Sequence, residues 1–115
     1  MTPEAFDKAC LALPGATLSI QWGDDHVFKV GGKMFAVRGN AVPKGGISFK
    51  ASEVAFEVLT ETGRAVPAPY LARSGWVRFE DLSELGADEV AGWLKSAHGL
   101  IAAKLTRKVR AELGL

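Results

Sequence analysis

Apolar residues recur along this chain with two different periods, and the changes between them mark out its elements. Phe6, Ala9, Cys10 and Leu13 fall at helical spacing on one face. Thr2 supplies an N-cap, Pro3 takes the first helical position where its missing N–H costs nothing, and Pro14-Gly15 ends the helix. From Thr17 the period drops to two. Leu18, Ile20 and Trp22 alternate with Thr17, Ser19 and Gln21, and Gly23-Asp24-Asp25 predicts a turn. His26–Val30 and Lys33–Arg38 predict two strands joined by Gly31-Gly32, a hairpin signal because both glycines tolerate positive φ. A loop through Pro43 and Gly45-Gly46 leads to a fourth strand, Ile47–Lys50.

Ser52 opens a second helix with Val54, Ala55, Val58 and Leu59 inward, ending before Gly63. Val66-Pro67-Ala68-Pro69-Tyr70 reads as extended chain, since two prolines exclude both a helix and a central strand. Trp76–Glu80 alternates as a fifth strand. After Gly86 a long helix carries Asp88 and Glu89 in its first turn, where the helix dipole favours them. Its apolar stripe is Val90, Trp93, Leu94, Ala97, Ile101 and Leu105, and Thr106 starts a last turn running to Leu113. The order α-β-β-β-β-α-β-α predicts an α+β fold of two layers, an antiparallel sheet of about five strands with helices packed on one face. The length of 115 residues predicts a single domain over 1–115.

Strict alternation assigns faces. Phe28, Val30, Phe35, Val37, Ile47, Phe49, Val77 and Phe79 should meet the helices. The opposite face then carries Lys29, Met34, Ala36, Arg38, Ser48, Lys50, Trp76 and Arg78. Lys29, Arg38, Lys50 and Arg78 around the indole of Trp76 suit phosphates and a stacked base, so the sequence points to a nucleic-acid-binding face, with DNA as the expected partner. Lys and Arg also keep ordinary sheet faces soluble. None of these eight outward residues is acidic. The alternative is a protein-binding adaptor using the sheet edge or the proline-rich stretch, where Tyr70 and Arg73 near Trp76 could border a pocket or a partner contact.

Composition narrows the rest. Apolar residues make up 48% and charged residues 23%, as in an ordinary globular protein. The balance of 14 basic against 13 acidic residues gives a pI near 7.9, below the ~9 common in nucleic-acid-binding domains, so any basic surface must arise by local clustering. The C-terminal helix supplies one such run, with Lys104, Arg107 and Lys108 on one face, although cations there also complement the helix dipole. Cys10 is the single cysteine, which rules out an intrachain disulfide and fits a reducing compartment. Met1-Thr2-Pro3-Glu4 lacks the pattern of a signal peptide, and no apolar run approaches the ~20 residues of a membrane span. A cytoplasmic monomer is therefore expected.

No catalytic centre, cofactor or metal site is expected. Asp24-Asp25-His26 surrounds a turn, and consecutive residues there rarely converge on one ion. Cys10 lies on an apolar helix face, where a thiol behaves as a small hydrophobe. His98 stands alone on a helix. Gly31-Gly32-Lys33 joins two strands, whereas a phosphate-binding P-loop needs a strand-to-helix junction.

Several stretches taken together resemble the MmcQ/YjbR family. They are Cys10-Leu11-Ala12-Leu13-Pro14-Gly15-Ala16, Trp22-Gly23, Phe28–Ala36, Ile47-Ser48-Phe49-Lys50, Pro67-Ala68-Pro69-Tyr70-Leu71, Trp76-Val77, Ser96-Ala97-His98 and Lys104–Lys108. They span nearly the whole chain in order. The resemblance implies a compact α+β fold akin to frataxin and to type III secretion chaperones, and a DNA-binding role through a double-wing arrangement of strands. It brings no catalytic or cofactor residues with it. Frataxin's iron handling depends on an acidic first helix, and here that helix offers only Glu4 and Asp7.

Overall fold

The computed structural model describes residues 1–39, 46–69 and 71–115. The expected loop through Pro43 and the expected contact at Tyr70 lie outside the described residues. The elements run α1 (Pro3–Leu11), β1 (Ala16–Gln21), β2 (Asp25–Val30), β3 (Lys33–Arg38), β4 (Ile47–Lys50) and α2 (Glu53–Glu61). They continue with β5 (Val66–Pro67), β6 (Trp76–Phe79), α3 (Ala87–Ala102) and α4 (Arg107–Glu112), with short 3-10 turns at Ala72–Ser74 and Leu82–Glu84. The fold is α+β, with one antiparallel sheet in the order β1-β2-β3-β4-β6-β5. The extra strand is the proline-bearing pair Val66–Pro67 at the sheet's edge, where a missing N–H costs no ladder bond.

Local chemistry sets the helix starts. The hydroxyls of Thr2, Ser52 and Thr106 accept from the N–H groups of Ala5, Ala55 and Val109 at 3.1, 3.1 and 3.2 Å. These are the N-caps the sequence offers, and Thr106 divides the C-terminal region into α3 and α4.

The helices cover one face of the sheet, and the core lies between. Phe6 meets Phe28 edge-on at 5.9 Å, while Trp93 of α3 stacks on Phe79 and Phe49 at 4.9 and 5.6 Å. Arg64 lies over the outer side of the Trp93 ring and pairs with Glu89, which closes that edge. In α2 the inward residues are Ala55, Phe56 and Leu59. Val54 and Val58, expected inside, are 71% and 52% exposed, because α2 lies at the sheet's margin and only part of its circumference is covered.

One irregularity decides which side chains face which way. Phe28 pairs with Ala36 and Lys29 with Met34, leaving Phe35 as the extra residue of a β-bulge. Strict alternation fails there. Phe35 and Ala36 are both fully buried in the core, and beyond them the parity of β3 is reversed. Val37 therefore sits on the outer face, opposite Val27 and Ser48, while Arg38 turns toward α1.

Candidate nucleic-acid interface

Of the five side chains expected on one basic face, the structure keeps three accessible in some degree and removes two. Arg38 is 5% exposed and faces the helices. Its Nε donates to Asp7 Oδ1 at 2.7 Å and its Nη2 to Asp7 Oδ2 at 2.8 Å, and His26 Nδ1 lies 2.9 Å from the same carboxylate oxygen. The hydrogen bond to Asp7 holds the Arg38 guanidinium above its ordinary pKa. The bulge at Phe35 is the physical reason for the correction.

Trp76 does project to the outer face, paired with Lys50, but the segment after β5 folds back onto it. Its backbone N–H donates to the Leu71 carbonyl and its carbonyl accepts from the Ala68 N–H, and the indole side chain is left 4% exposed. A base cannot stack on it there. Lys29, Lys50 and Arg78 remain on the outer face, half-buried.

The cations that do converge are grouped by the ends of the strands rather than by a face. β2 and β4 finish, and β3 and β6 begin, at one end of the sheet. That end carries Lys29, Lys33 and Lys50, with Arg73 in the turn just before β6. The C-terminus of α3 arrives beside it, since a Cβ on Gly31 would lie 2.7 Å from the Leu105 side chain. Lys50, Arg73 and Lys104 border a single cleft of about 610 Å³ at the start of α2, with Glu53 as its one carboxylate. Burial first, and then the nearby charge of Lys104, push the Lys50 ammonium below its ordinary pKa. Its Nζ donates to the Ser74 carbonyl, which holds the side chain in the cleft. α4 follows with Arg107, Lys108 and Arg110, all exposed.

The opposite end is acidic. Asp25 begins β2, while Glu80, Asp81 and Glu84 follow β6 and line a second cavity. Arg64 and Arg78 line that cavity too, but Lys29, Lys33, Lys50 and Lys104 gather at the other end, which is how a chain of net charge +1 presents a basic surface there. Sequence reasoning missed Lys33 and placed Lys104 and Arg73 in separate features. The signal lay in strand direction, because antiparallel neighbours gather alternate strand ends, and the hairpin at Gly31-Gly32 fixes which ends those are.

The remaining candidates for chemistry are structural. Cys10 is fully buried, and burial together with the Asp7 carboxylate pushes its thiol up, away from the reactive thiolate. His98 Nε2 is 2.7 Å from the Pro14 carbonyl, to which it donates, and the ring meets Phe35 edge-on at 5.4 Å. Among the described residues no three His, Cys, Asp or Glu side chains come together to hold a metal ion, and no helix is long and apolar enough to cross a membrane.

Comparison with known proteins is consistent with this architecture. Residues 11–100 match the family model YjbR. The crystal structure of the Deinococcus radiodurans protein DR2400, described as carrying the domain DUF419, superimposes with a TM-score of 0.86 at 24% identity. The alignment covers 99% of this chain and 88% of that one, and the likeness is one of fold. No curated protein matches.

Proposed function

The chain belongs to the YjbR family, and from that premise we propose that it is a non-catalytic module that binds nucleic acid, DNA above all, through the basic end of its sheet. The observation that carries this reading is the convergence of Lys50, Arg73 and Lys104 on one cleft, from a strand, a turn and a helix end, against a single carboxylate. Lys29 and Lys33 on the β2–β3 hairpin extend the surface on one side, and Arg107 and Lys108 extend it along α4. The depressed Lys50 adds a physical reason. Like charges held together in a partly desolvated cleft are destabilised when empty, and a phosphate relieves that repulsion. Recognition of this kind follows the backbone, with no base stacked on Trp76.

The test is an anisotropy titration with labelled single- and double-stranded oligonucleotides from low to physiological salt. The wild-type protein should bind with a steep salt slope. The triple substitution Lys50→Ala, Arg73→Ala, Lys104→Ala should weaken binding and flatten that slope by about one unit per lost phosphate contact. No binding at low salt, or an unchanged slope in the triple variant, would sink the reading.

A protein partner is the second reading, and one observation favours it. β1 is an edge strand whose Leu18 and Ile20 are 38% and 52% exposed, a template for an added strand from another chain. Binding that hardly responds to salt and is lost on Ile20→Lys would favour this reading over the first.

A further inference from the structure

Among the described residues no α-helix lies over the outer face of the sheet, yet its middle is not built for water. Across the strands one row runs Val66, Arg78, Ser48, Val37, Val27 and Ser19. A solvated antiparallel face ordinarily carries polar residues at such central positions. Here Val27 is fully buried, and Ala68, from the segment that folds back toward β6, is 2% exposed. Val37 and Met34 form the apolar floor of a cleft of about 520 Å³, with Pro69 and Leu71 on one wall and Trp22 on the other. Volumes of this size are typical of small-molecule sites.

Two features at the rim point to a ligand. Trp22 is 64% exposed and holds φ +51°, a left-handed backbone that a bulky residue adopts only when its surroundings impose it. That conformation presents an indole at the cleft mouth. Arg78 lines the cleft beside Ser48. Its guanidinium lies across Gly46, where a Cβ would stand 2.6 Å from Nη2. The other two described arginines in or against the folded core, Arg38 and Arg64, are both paired with carboxylates. The Arg78 backbone belongs to the sheet ladder, and its guanidinium has no hydrogen-bond or ion-pair partner among the described residues. A half-buried, planar donor set with no acceptor among the described residues suits a carboxylate.

We propose that this cleft binds a small monocarboxylate with an apolar body, the carboxylate on Arg78 and Ser48 and the body on Val37, Met34 and Trp22. Asp25 also lines the cleft and selects against phosphates and other multiply charged anions. The site is therefore distinct in chemistry from the basic end, and it stands whether or not that end binds nucleic acid.

The experiment is an amide-resolved NMR titration of the full chain with indole-3-acetate and with octanoate, using indole-3-acetamide, octanol and inorganic phosphate as comparison probes. Both carboxylates should shift Val27, Val37, Ser48 and Arg78, and should bind about tenfold more tightly than their neutral analogues. Phosphate should leave these amides unmoved. Arg78→Gln should abolish the carboxylate preference while apolar binding survives, and Trp22→Ala should weaken carboxylates and neutral analogues alike. A thermal melt of each variant checks that it is folded, and Arg78→Lys, which keeps the charge, serves as the second variant if Arg78→Gln does not fold. Absence of shifts at these positions up to about 10 mM probe overturns the site. So do shifts confined to Lys50, Arg73 and Lys104, or equal affinity for acid and amide.

Discussion

Arg38 and Asp7 form a two-pronged ion pair that ties β3 to α1, with N···O distances of 2.7 and 2.8 Å. Arg38 is enclosed and Asp7 is partly enclosed, at 7% and 19% side-chain exposure. Removing the acid would take the carboxylate away from a buried cation. Asp7→Asn should therefore cost about 1.5–3 kcal/mol in urea melts, as a charged hydrogen bond does. Arg38→Met should cost less, because it removes the buried charge and keeps much of the volume. A cation whose folded pKa is raised adds stability that is complete below its unfolded pKa and is lost only as pH rises through the folded value. For Arg38 that window lies above the ordinary arginine value, so its contribution should be flat between roughly pH 6 and 9. An Asp7→Asn loss under about 0.5 kcal/mol would show that the pair does not hold the two elements together.

The bulge at Phe35 makes opposite demands on two neighbours. Ala36→Asp should unfold the protein or cost more than about 3 kcal/mol, since it puts a carboxylate in the core. Val37→Asp, on the half-buried outer face, should cost clearly less than Ala36→Asp. Phe35→Ala should cost ~3–5 kcal/mol for a deleted ring. Equilibrium denaturation of the three variants decides the matter, and the reverse ranking of Ala36 and Val37 would mean that β3 alternates without a bulge.

Gly31 has both a backbone and a packing reason to be glycine. It holds φ +58°, and an added Cβ would meet the Leu105 side chain at 2.7 Å. Gly31→Ala should destabilise by about 1–3 kcal/mol. Shortening Leu105 makes room for that methyl, so the double variant Gly31→Ala, Leu105→Ala should lose less than the two single losses added together. Simple additivity in denaturant melts would mean that the hairpin does not touch the end of α3.

Lys50 gives nucleic-acid binding a pH signature. Its folded pKa is lowered from 10.5, so it begins to lose its proton at a lower pH than an ordinary lysine. A bound phosphate favours the charged form, so binding takes up a proton as pH approaches that value. Affinity for a labelled oligonucleotide should fall as pH is raised from neutral toward 10.5, and Lys50→Arg should remove most of that fall. An identical profile for wild type and Lys50→Arg would exclude Lys50 from the contact.

The order of the elements other than β5, the caps at Thr2, Ser52 and Thr106, and the Gly31-Gly32 hairpin are local matters, and the sequence by itself determined them. A cap is decided within three residues and a tight turn within two, so neighbouring side chains contain the whole interaction. The inward positions of Phe28, Ile47, Phe49, Val77 and Phe79 were legible for a similar reason, because each regular strand sets its own alternation. What only the tertiary structure decided are relationships across distance. The bulge at Phe35 arises from how β3 registers against β2, and it turned Arg38 from a surface cation into a partner of Asp7. Trp76 was placed on its correct face by alternation, yet whether that face is open depended on the return of the chain after β5. The basic end exists because antiparallel strands and the C-terminus of α3 bring Lys29, Lys33, Lys50, Arg73 and Lys104 together from 76 positions of sequence. Periodicity reports only which way each side chain points from its own strand, whereas charge acts through space.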